Sequence, residues 1–268
     1  MIQSLCNHEI KYIDYRNPTF LIIGAQKSGT TSLYYNLIQH PNIRAARKKE
    51  IHFFDDNQNY QKGLNWYLSF FPFVNLFRRM ITGEASPRYF FMPFVPERVH
   101  HFFPEIKLIL LLRNPVDRAY SQYQHNRRAG RIHVPFETAL KVARAVEKKY
   151  SVIQPEDYEN YQNYCDFSFL ARGEYVVQLK RWLTLFSMEQ FLILKSEDFF
   201  LNPCKVVQQV FSFLGVEPFD ELKSIKKNSY QYSDMSSETR KILTDYFMPF
   251  NEALYKLLRR NFGWELES

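Results

Sequence analysis

Short apolar runs alternate with longer amphipathic stretches along most of this chain. Phe20-Leu21-Ile22-Ile23, Lys107-Leu108-Ile109-Leu110-Leu111-Leu112 and Gln190-Phe191-Leu192-Ile193-Leu194-Lys195 are of strand length. They are apolar at nearly every position, as expected of parallel strands covered on both faces. Arg79-Met80-Ile81-Thr82-Gly83-Glu84-Ala85-Ser86-Pro87 predicts another strand, ending in a polar turn. Elsewhere the apolar residues recur at helical spacing. Leu33 with Leu37, and Tyr34 with Ile38, predict a helix over Ser32 to Ile38, ended by His40-Pro41. Pro96 to Phe103 reads as a helix stopped by Pro104, and Tyr175 to Phe186 as one that gathers Val176, Leu179, Leu183 and Phe186 on one face. Asn202-Pro203 opens a helix that runs through Leu214 to Gly215. Ser236 to Leu258 predicts a terminal helix interrupted near Pro249, and Tyr60 to Phe77 a short aromatic helix and a loop broken at Pro72. The pattern implies one α/β domain over residues 1–268 around a central parallel sheet. Residues 127–167 are basic, then tyrosine-rich and acidic, and are expected to form a lid or insertion, with Phe136, Leu140, Val142 and Val146 as packing residues.

The first strand leads into Gly24-Ala25-Gln26-Lys27-Ser28-Gly29-Thr30-Thr31-Ser32. A strand, a glycine-bearing turn and a helix make an anion site, because the first N–H groups of the helix have no partner within it. The spacing of Gly24 and Gly29 resembles that of Walker A. In Walker A, however, a lysine and a hydroxyl residue follow the second glycine. Here Thr30-Thr31 follow it, and the lysine, Lys27, has moved inside the loop. No apolar strand ends in an aspartate that could hold magnesium; the strongest, Lys107 to Leu112, ends in Arg113. The expected fold is therefore a P-loop-like, three-layer α/β/α arrangement in which protein cations, and no metal, handle a phosphate-bearing ligand.

Composition narrows the partners. The 268 residues are 46% hydrophobic and 24% charged, in the range of globular chains, with a net charge of +7 that suits an anionic ligand. No basic stripe, zinc-finger or RNA-binding signature points to nucleic acid. Aromatic residues reach 17%, which fits either an aromatic core or an apolar acceptor groove. The three cysteines, Cys6, Cys165 and Cys204, are far apart and odd in number, so neither a disulfide framework nor a metal spacing is expected. Met1 to Asn17 holds no continuous apolar segment, so no signal peptide or membrane span is expected and the location is read as cytoplasmic.

Three further segments carry candidate chemistry. Asn42 to Asp55 places four cations before Glu50, His52 and Asp55. It reads either as a solvated loop or as chain returning to the ligand edge, and in extended backbone Glu50 and His52 would share a face. Glu84, at the end of its strand, is read as binding an acceptor hydroxyl or pairing with a lysine or arginine. In Arg113-Asn114-Pro115-Val116-Asp117-Arg118-Ala119-Tyr120-Ser121, Asn114 can cap a helix with Pro115 in its first turn. Arg113 then sits at the strand end and Ser121 about two turns into the helix. An arginine fork and a hydroxyl suit a second phosphate, whereas a structural ion pair would occupy Arg113 otherwise.

The turn at residues 24–31 resembles the 5′-phosphosulfate loop of the sulfotransferases, and residues 113–121 resemble their 3′-phosphate motif. Lys49-Glu50-Ile51-His52-Phe53-Phe54-Asp55, Gly63-Leu64-Asn65-Trp66-Tyr67, Pro96-Glu97-Arg98-Val99 and Asn261-Phe262-Gly263-Trp264 resemble the heparan sulfate N- and 3-O-sulfotransferase branch. Gly83-Glu84-Ala85-Ser86-Pro87 is similar to bacterial stand-alone sulfotransferases. The resemblance implies 3′-phosphoadenosine 5′-phosphosulfate (PAPS) as sulfuryl donor, PAP as product and a glycan or hydroxylated small molecule as acceptor. It implies that Lys27, Ser28, Gly29, Thr30 and Thr31 cradle the 5′-phosphosulfate and that Arg113 and Ser121 hold the 3′-phosphate. It further implies that Glu50 is the general base, that His52 and Asp55 orient base and acceptor, and that the loop from Lys226 and Lys227 to Tyr232 closes over the donor. A β-hydroxyacyl acceptor, a P-loop kinase and a non-catalytic anion-binding protein are the competing expectations.

Overall fold

The computed structural model describes residues 17–73, 80–149, 164–227 and 233–267. The N-terminal segment with Cys6, the tyrosine-rich part of the expected lid and most of the 226–232 loop lie outside the described residues.

Among the described residues the sheet has five parallel strands: β1 (Phe20–Gly24), β2 (Ile43–Ala45), β3 (Ile81–Ala85), β4 (Lys107–Leu112) and β5 (Phe191–Lys195). Their spatial order is β2-β3-β1-β4-β5. The chain thus starts in the middle, builds one side, and then crosses back over β1 to build the other. Connections leaving β1 and β4 diverge, and a parallel sheet opens a crevice for ligands at that point, beyond the carboxyl ends of its strands. The three long apolar runs occupy the predicted strands. The short strand β2, Ile-Arg-Ala, falls inside the cationic segment, where its hydrophobic signal is too brief to read.

Alternation along the strands divides the core in two. Leu21, Ile23, Leu108, Leu110 and Leu112 face one layer, with Val99 of α4 (Val95–Phe102), Tyr175, Leu179 and Trp182 of α7 (Tyr175–Trp182), and Leu254 of α10 (Ser237–Leu258). Phe20, Ile22, Ile109 and Leu111 face the other. That layer holds Leu33, Tyr34 and Leu37 of α1 (Thr30–Leu37) and Val206, Val210, Phe211 and Leu214 of α9 (Pro203–Leu214). Every residue of β1 is buried, as its apolar composition requires. Two short helices, α2 (Asn57–Tyr60) and α3 (Leu64–Leu68), carry the aromatic segment, whose rings pack on Phe53 and Phe54. Tyr67 and Phe71 there are core residues, with Tyr60, Trp66 and Phe70 partly buried against them.

A third cluster joins α5 (Pro115–Arg128), α6 (Phe136–Lys149) and the first half of α10. Asn114 caps α5 by accepting the Val116 N–H at 3.0 Å, with Pro115 in the first turn. The packing face of α6 is Phe136, Ala139, Leu140 and Ala143; Val142, expected to pack, is exposed. The helix expected to break near Pro249 instead runs unbroken from Ser237 to Leu258. Buried Leu243, Phe247, Asn251 and Leu254 continue across the proline, so packing on both sides outweighs the lost backbone hydrogen bond. Gly215, with φ of +77°, ends α9 in the left-handed conformation.

At Gly83 of β3, a Cβ would lie 2.4 Å from the Phe20 carbonyl oxygen and 2.7 Å from the Phe20 ring. Gly83→Ala is expected to destabilise the fold by about 1–3 kcal/mol through forced separation of β1 and β3. A fall in the urea midpoint at unchanged slope checks this.

Candidate active site

The turn after β1 is shaped by two residues in left-handed backbone, Gly29 at φ +94° and Lys27 at +72°. A Cβ on Gly29 would come within 2.8 Å of the Phe200 ring, so glycine serves both the conformation and the close approach. For Lys27 the same backbone region is unfavourable and costs on the order of 1 kcal/mol. Such strain persists only where the surroundings impose it, and it clusters at functional sites. No side chain caps the start of α1, where no acidic residue stands in the first turn, so its positive end faces the turn.

Arg113, at the end of β4, donates from Nη1 to the Lys27 carbonyl oxygen at 3.2 Å. The two basic arms therefore meet. A cavity of about 380 Å³ is lined by Lys27, Gly29, Thr30, Thr31 and Ser32 on one side and by Arg113, Ser121 and Arg128 on another. Phe199 and Phe200 of α8 (Ser196–Leu201), with Pro203 and Ile225, add apolar walls, and Lys226 and Lys227 close the rim. The Lys227 N–H donates to Ser32 Oγ at 2.9 Å, which seats that loop on α1, and its ammonium lies 5.3 Å from the Tyr35 ring centre. Burial and the charges of Arg128 and Arg113, opposed by Glu50, bring the Lys27 ammonium down to about 8. Arg118 does not reach the cavity; it is buried beneath, with Nη1 on Gln122 and Nη2 on the Phe169 carbonyl oxygen. Ser28 also lies behind the wall: it is fully buried, and its carbonyl accepts from Ser196 Oγ at 2.8 Å.

The second half of the site is the segment of Glu50, His52 and Asp55. The backbone is not extended there, because Glu50 and His52 both adopt positive φ, +58° and +56°. Their side chains still meet: His52 Nε2 is 3.6 Å from Glu50 Oε2, while His52 Nδ1 is 3.0 Å from Asp55 Oδ2. Arg88 Nε donates to Asp55 Oδ2 at 2.6 Å, and Lys49 pairs with Glu50. Burial opposes charge on Asp55, yet Arg88 and His52 hold its carboxyl well below the usual range. Burial likewise would raise Glu50, but the adjacent His52 imidazole and the charge of Lys49 bring it down to about 2. For His52 the burial penalty is outweighed by Asp55 and Glu50, and the imidazole is raised to about 9. Glu50 is thus an ionised carboxylate with a side chain 40% exposed, held against a protonated imidazole.

Glu84 does neither thing expected of it. It is fully buried and meets no lysine or arginine among its hydrogen-bond partners; it accepts from Tyr67 Oη, Tyr89 Oη, Ser86 Oγ and the Ile51 N–H at 2.7–3.3 Å. A carboxylate enclosed by four donors is a scaffold group. Burial pushes its carboxyl up in spite of these partners.

Some residues of the site escaped the sequence reading. Arg128 and His125 follow Ser121 at seven and four residues on α5, one helical face, so periodicity applied to that helix would have found them. Burial and the charges of Lys27, Arg131 and Arg128 bring the His125 imidazole down to about 4, with Glu50 opposing, which sets it within electrostatic range of both halves of the site. Phe200 and Arg88 had no local signal, since α8 and the turn after β3 reach the site only in the fold.

A phosphate-type turn and an arginine arm, at the switch point of a parallel sheet and beside a paired carboxylate and histidine, define a group-transfer enzyme of the P-loop-like α/β class. The family model described as the sulfotransferase domain matches residues 17–249, and the chain belongs to the sulfotransferase family. The bifunctional heparan sulfate N-deacetylase/N-sulfotransferase 2 of Bos taurus is 34% identical over 273 residues, covering 91% of this chain and 30% of that protein. The membrane-associated sulfotransferase kil1 of Dictyostelium discoideum is 30% identical over 315 residues, covering 92% of this chain and 66% of its own length. A crystal structure of a sulfotransferase from Alicyclobacillus acidocaldarius superposes with a TM-score of 0.74 at 31% identity, covering 92% of this chain and 98% of that one. The chain spans 30% of the length of the bifunctional relative. Among the described residues, no helix is long and apolar enough to cross a membrane.

The His52 pairing has a consequence for stability. A histidine raised from 6.5 to about 9 on folding stabilises the fold fully below pH 6.5, and the contribution is lost as pH rises through 9. Between pH 6.5 and 9, wild type is expected to lose on the order of 1–3 kcal/mol more than His52→Gln. Urea titrations at several pH values measure the difference, and parallel curves would detach His52 from the ion pair.

Proposed function

We propose that this sulfotransferase transfers the sulfuryl group of PAPS to a hydroxyl or amine of a glycan, with Glu50 as general base. The observation that carries the reading is the arrangement of Lys27, Arg113 and Ser121 around one cavity, with Glu50 close enough for its charge to act on Lys27. The donor set suits PAPS. Lys27, the hydroxyls of Thr30 and Thr31 and the start of α1 match one phosphate-borne group; Arg113, Ser121 and Arg128 match a second; Phe199, Phe200 and Ile225 offer apolar walls to a base. Ser28 serves this cradle through its backbone fold, and Lys227 at the rim.

Within this reading the chemistry is a single displacement. The acceptor oxygen or nitrogen bonds to sulfur as the sulfur–oxygen bond to the 5′-phosphate breaks, and the acceptor proton passes to Glu50. Charge builds on the leaving phosphate, where the Lys27 ammonium neutralises it. A carboxylate as weakly basic as Glu50 suffices when the acceptor proton becomes acidic during bond formation, and a positioned base contributes about 10²–10⁴-fold. Exposed Arg44, Arg47 and Lys48 precede Glu50, and exposed Arg127, Arg128 and Arg131 end α5 and follow it. Such cations support an acceptor that itself carries negative charge. The likeness to a heparan sulfate N-sulfotransferase supports a glycan.

Glu50→Gln is expected to lower turnover of radiolabelled PAPS at least 100-fold in an acceptor screen while PAP binding, followed by calorimetry, stays within twofold; near-normal turnover would remove Glu50 from the role. Arg113→Ala is expected to weaken PAP at least tenfold. Binding of PAP without magnesium, and none of ATP, separates this reading from a kinase. Because Lys27 titrates near pH 8, PAP binding there should take up about half a proton. Calorimetry in buffers of different ionisation enthalpy reads that uptake, which should vanish in Lys27→Met.

A further inference from the structure

The backbone around Glu50 and His52 is an unfavourable one, and something must hold it. Both residues lie in the left-handed region, on either side of Ile51, which is fully buried. Glu50 is none of glycine, asparagine, aspartate or histidine, so nothing in its own residue type favours that conformation. The segment is tied down at alternate residues. The Ile51 N–H donates to Glu84 Oε2 at 3.3 Å, the Phe53 N–H donates to Tyr89 Oη at 3.1 Å, and Asp55 Oδ2 accepts from Arg88 Nε at 2.6 Å. All three partners come from a single stretch, Glu84 to Tyr89, at the carboxyl end of β3.

The ties are coupled. The Tyr89 hydroxyl that takes the Phe53 N–H donates in turn to Glu84 Oε1 at 2.8 Å. Tyr67 Oη and Ser86 Oγ complete the carboxylate at 2.9 and 2.7 Å, which leaves it little freedom to turn. Asn59 adds one hold from another direction, donating from Nδ2 to the His52 carbonyl oxygen at 3.1 Å. Burying a carboxylate is costly, and apolar residues could fill the same volume with less penalty. Three polar residues arranged to meet alternate points of one strained segment therefore serve its geometry more than its packing.

We infer that Glu84, Arg88 and Tyr89 form a clamp that positions Glu50 and His52, with Tyr89 and Arg88 as positioning residues for transfer. The clamp rests on the proposed role of Glu50. It registers the base to β3, the strand paired with β1, and so to the turn that carries Lys27. Glu84 and Tyr89 act on the backbone of the segment. Arg88 acts through Asp55, which fixes the direction in which His52 points. None of the three enters the cavity, so the clamp should govern the chemical step and leave donor binding alone.

Tyr89→Phe tests this with the ring retained and the hydroxyl removed. Backbone amide exchange at residues 51–53 is expected to quicken at least tenfold. With N-deacetylated heparosan as the acceptor probe, kcat is expected to fall 10- to 100-fold, while KM for PAPS and the Kd of PAP stay within twofold. Arg88→Gln should lower kcat to a similar extent, and Arg88→Lys should restore part of it. Normal kcat in Tyr89→Phe overturns the inference whatever the exchange rates are. So does a loss of kcat matched by an equal loss of PAP affinity, which is the mark of general loosening. If wild type leaves the probe unsulfated, that result bears on the acceptor or on the proposed function, and amide exchange decides the clamp: unchanged protection at Ile51 and Phe53 rejects it.

Discussion

Strands β1 and β4 are hydrogen-bonded neighbours running the same way, so the loops that leave them emerge side by side. The meeting of Lys27 and Arg113 at the cavity follows from that pairing. Lys27 and Arg113 would repel each other in open solution, yet the sheet holds them close enough for a hydrogen bond from the guanidinium to the Lys27 backbone. Arg128 adds a third cation from two turns beyond Ser121. Burial first, and then the neighbouring like charges, lower the Lys27 ammonium, and a multiply charged anion relieves the second of these costs. The recess is thus prepared for its ligand by the rigidity of buried strands.

The segment of Glu50, His52 and Asp55 is organised by a different means. It has no strand pairing to set it, only a segment in which Glu50 and His52 take backbone angles that side-chain-bearing residues avoid. Buried hydrogen bonds from β3 and its following turn hold that segment, and the chain of Glu50, His52, Asp55 and Arg88 alternates in charge along its length. Each charge is stabilised by its neighbour, so Asp55 can be buried and ionised, and His52 can stay protonated beyond its ordinary range. The two halves meet where Glu50 acts on Lys27, and His125 responds to both.

Much of this arrangement is legible in the sequence. The runs at Phe20, Lys107 and Gln190 announce buried parallel strands, because few other structures accept apolar residues on consecutive positions. Gly29 with Lys27 announces an anion-binding turn, and Arg113-Asn114-Pro115 announces a capped helix after a strand. Each of these signals is local, set by the steric and hydrogen-bonding demands of a few adjacent residues. The same local reasoning misjudged Pro249, where long-range packing outweighs one missing hydrogen bond, and Glu50 and His52, which meet through left-handed backbone and not through extension.

The chain by itself determined every strand but β2, the glycine-bearing turn, the arginine arm and the residue types at Glu50, His52 and Asp55, since periodicity and short-range chemistry specify these. Tertiary structure alone decided strand order, and with it that Lys27 and Arg113 share a cavity. It also decided that Glu84 turns inward to four donors, that Phe200 of a distant helix covers Gly29, and that Arg88 meets Asp55. Those contacts join residues dozens to more than a hundred positions apart. They depend on which strands lie together and which faces are buried, properties of the packed whole that no neighbouring residues encode.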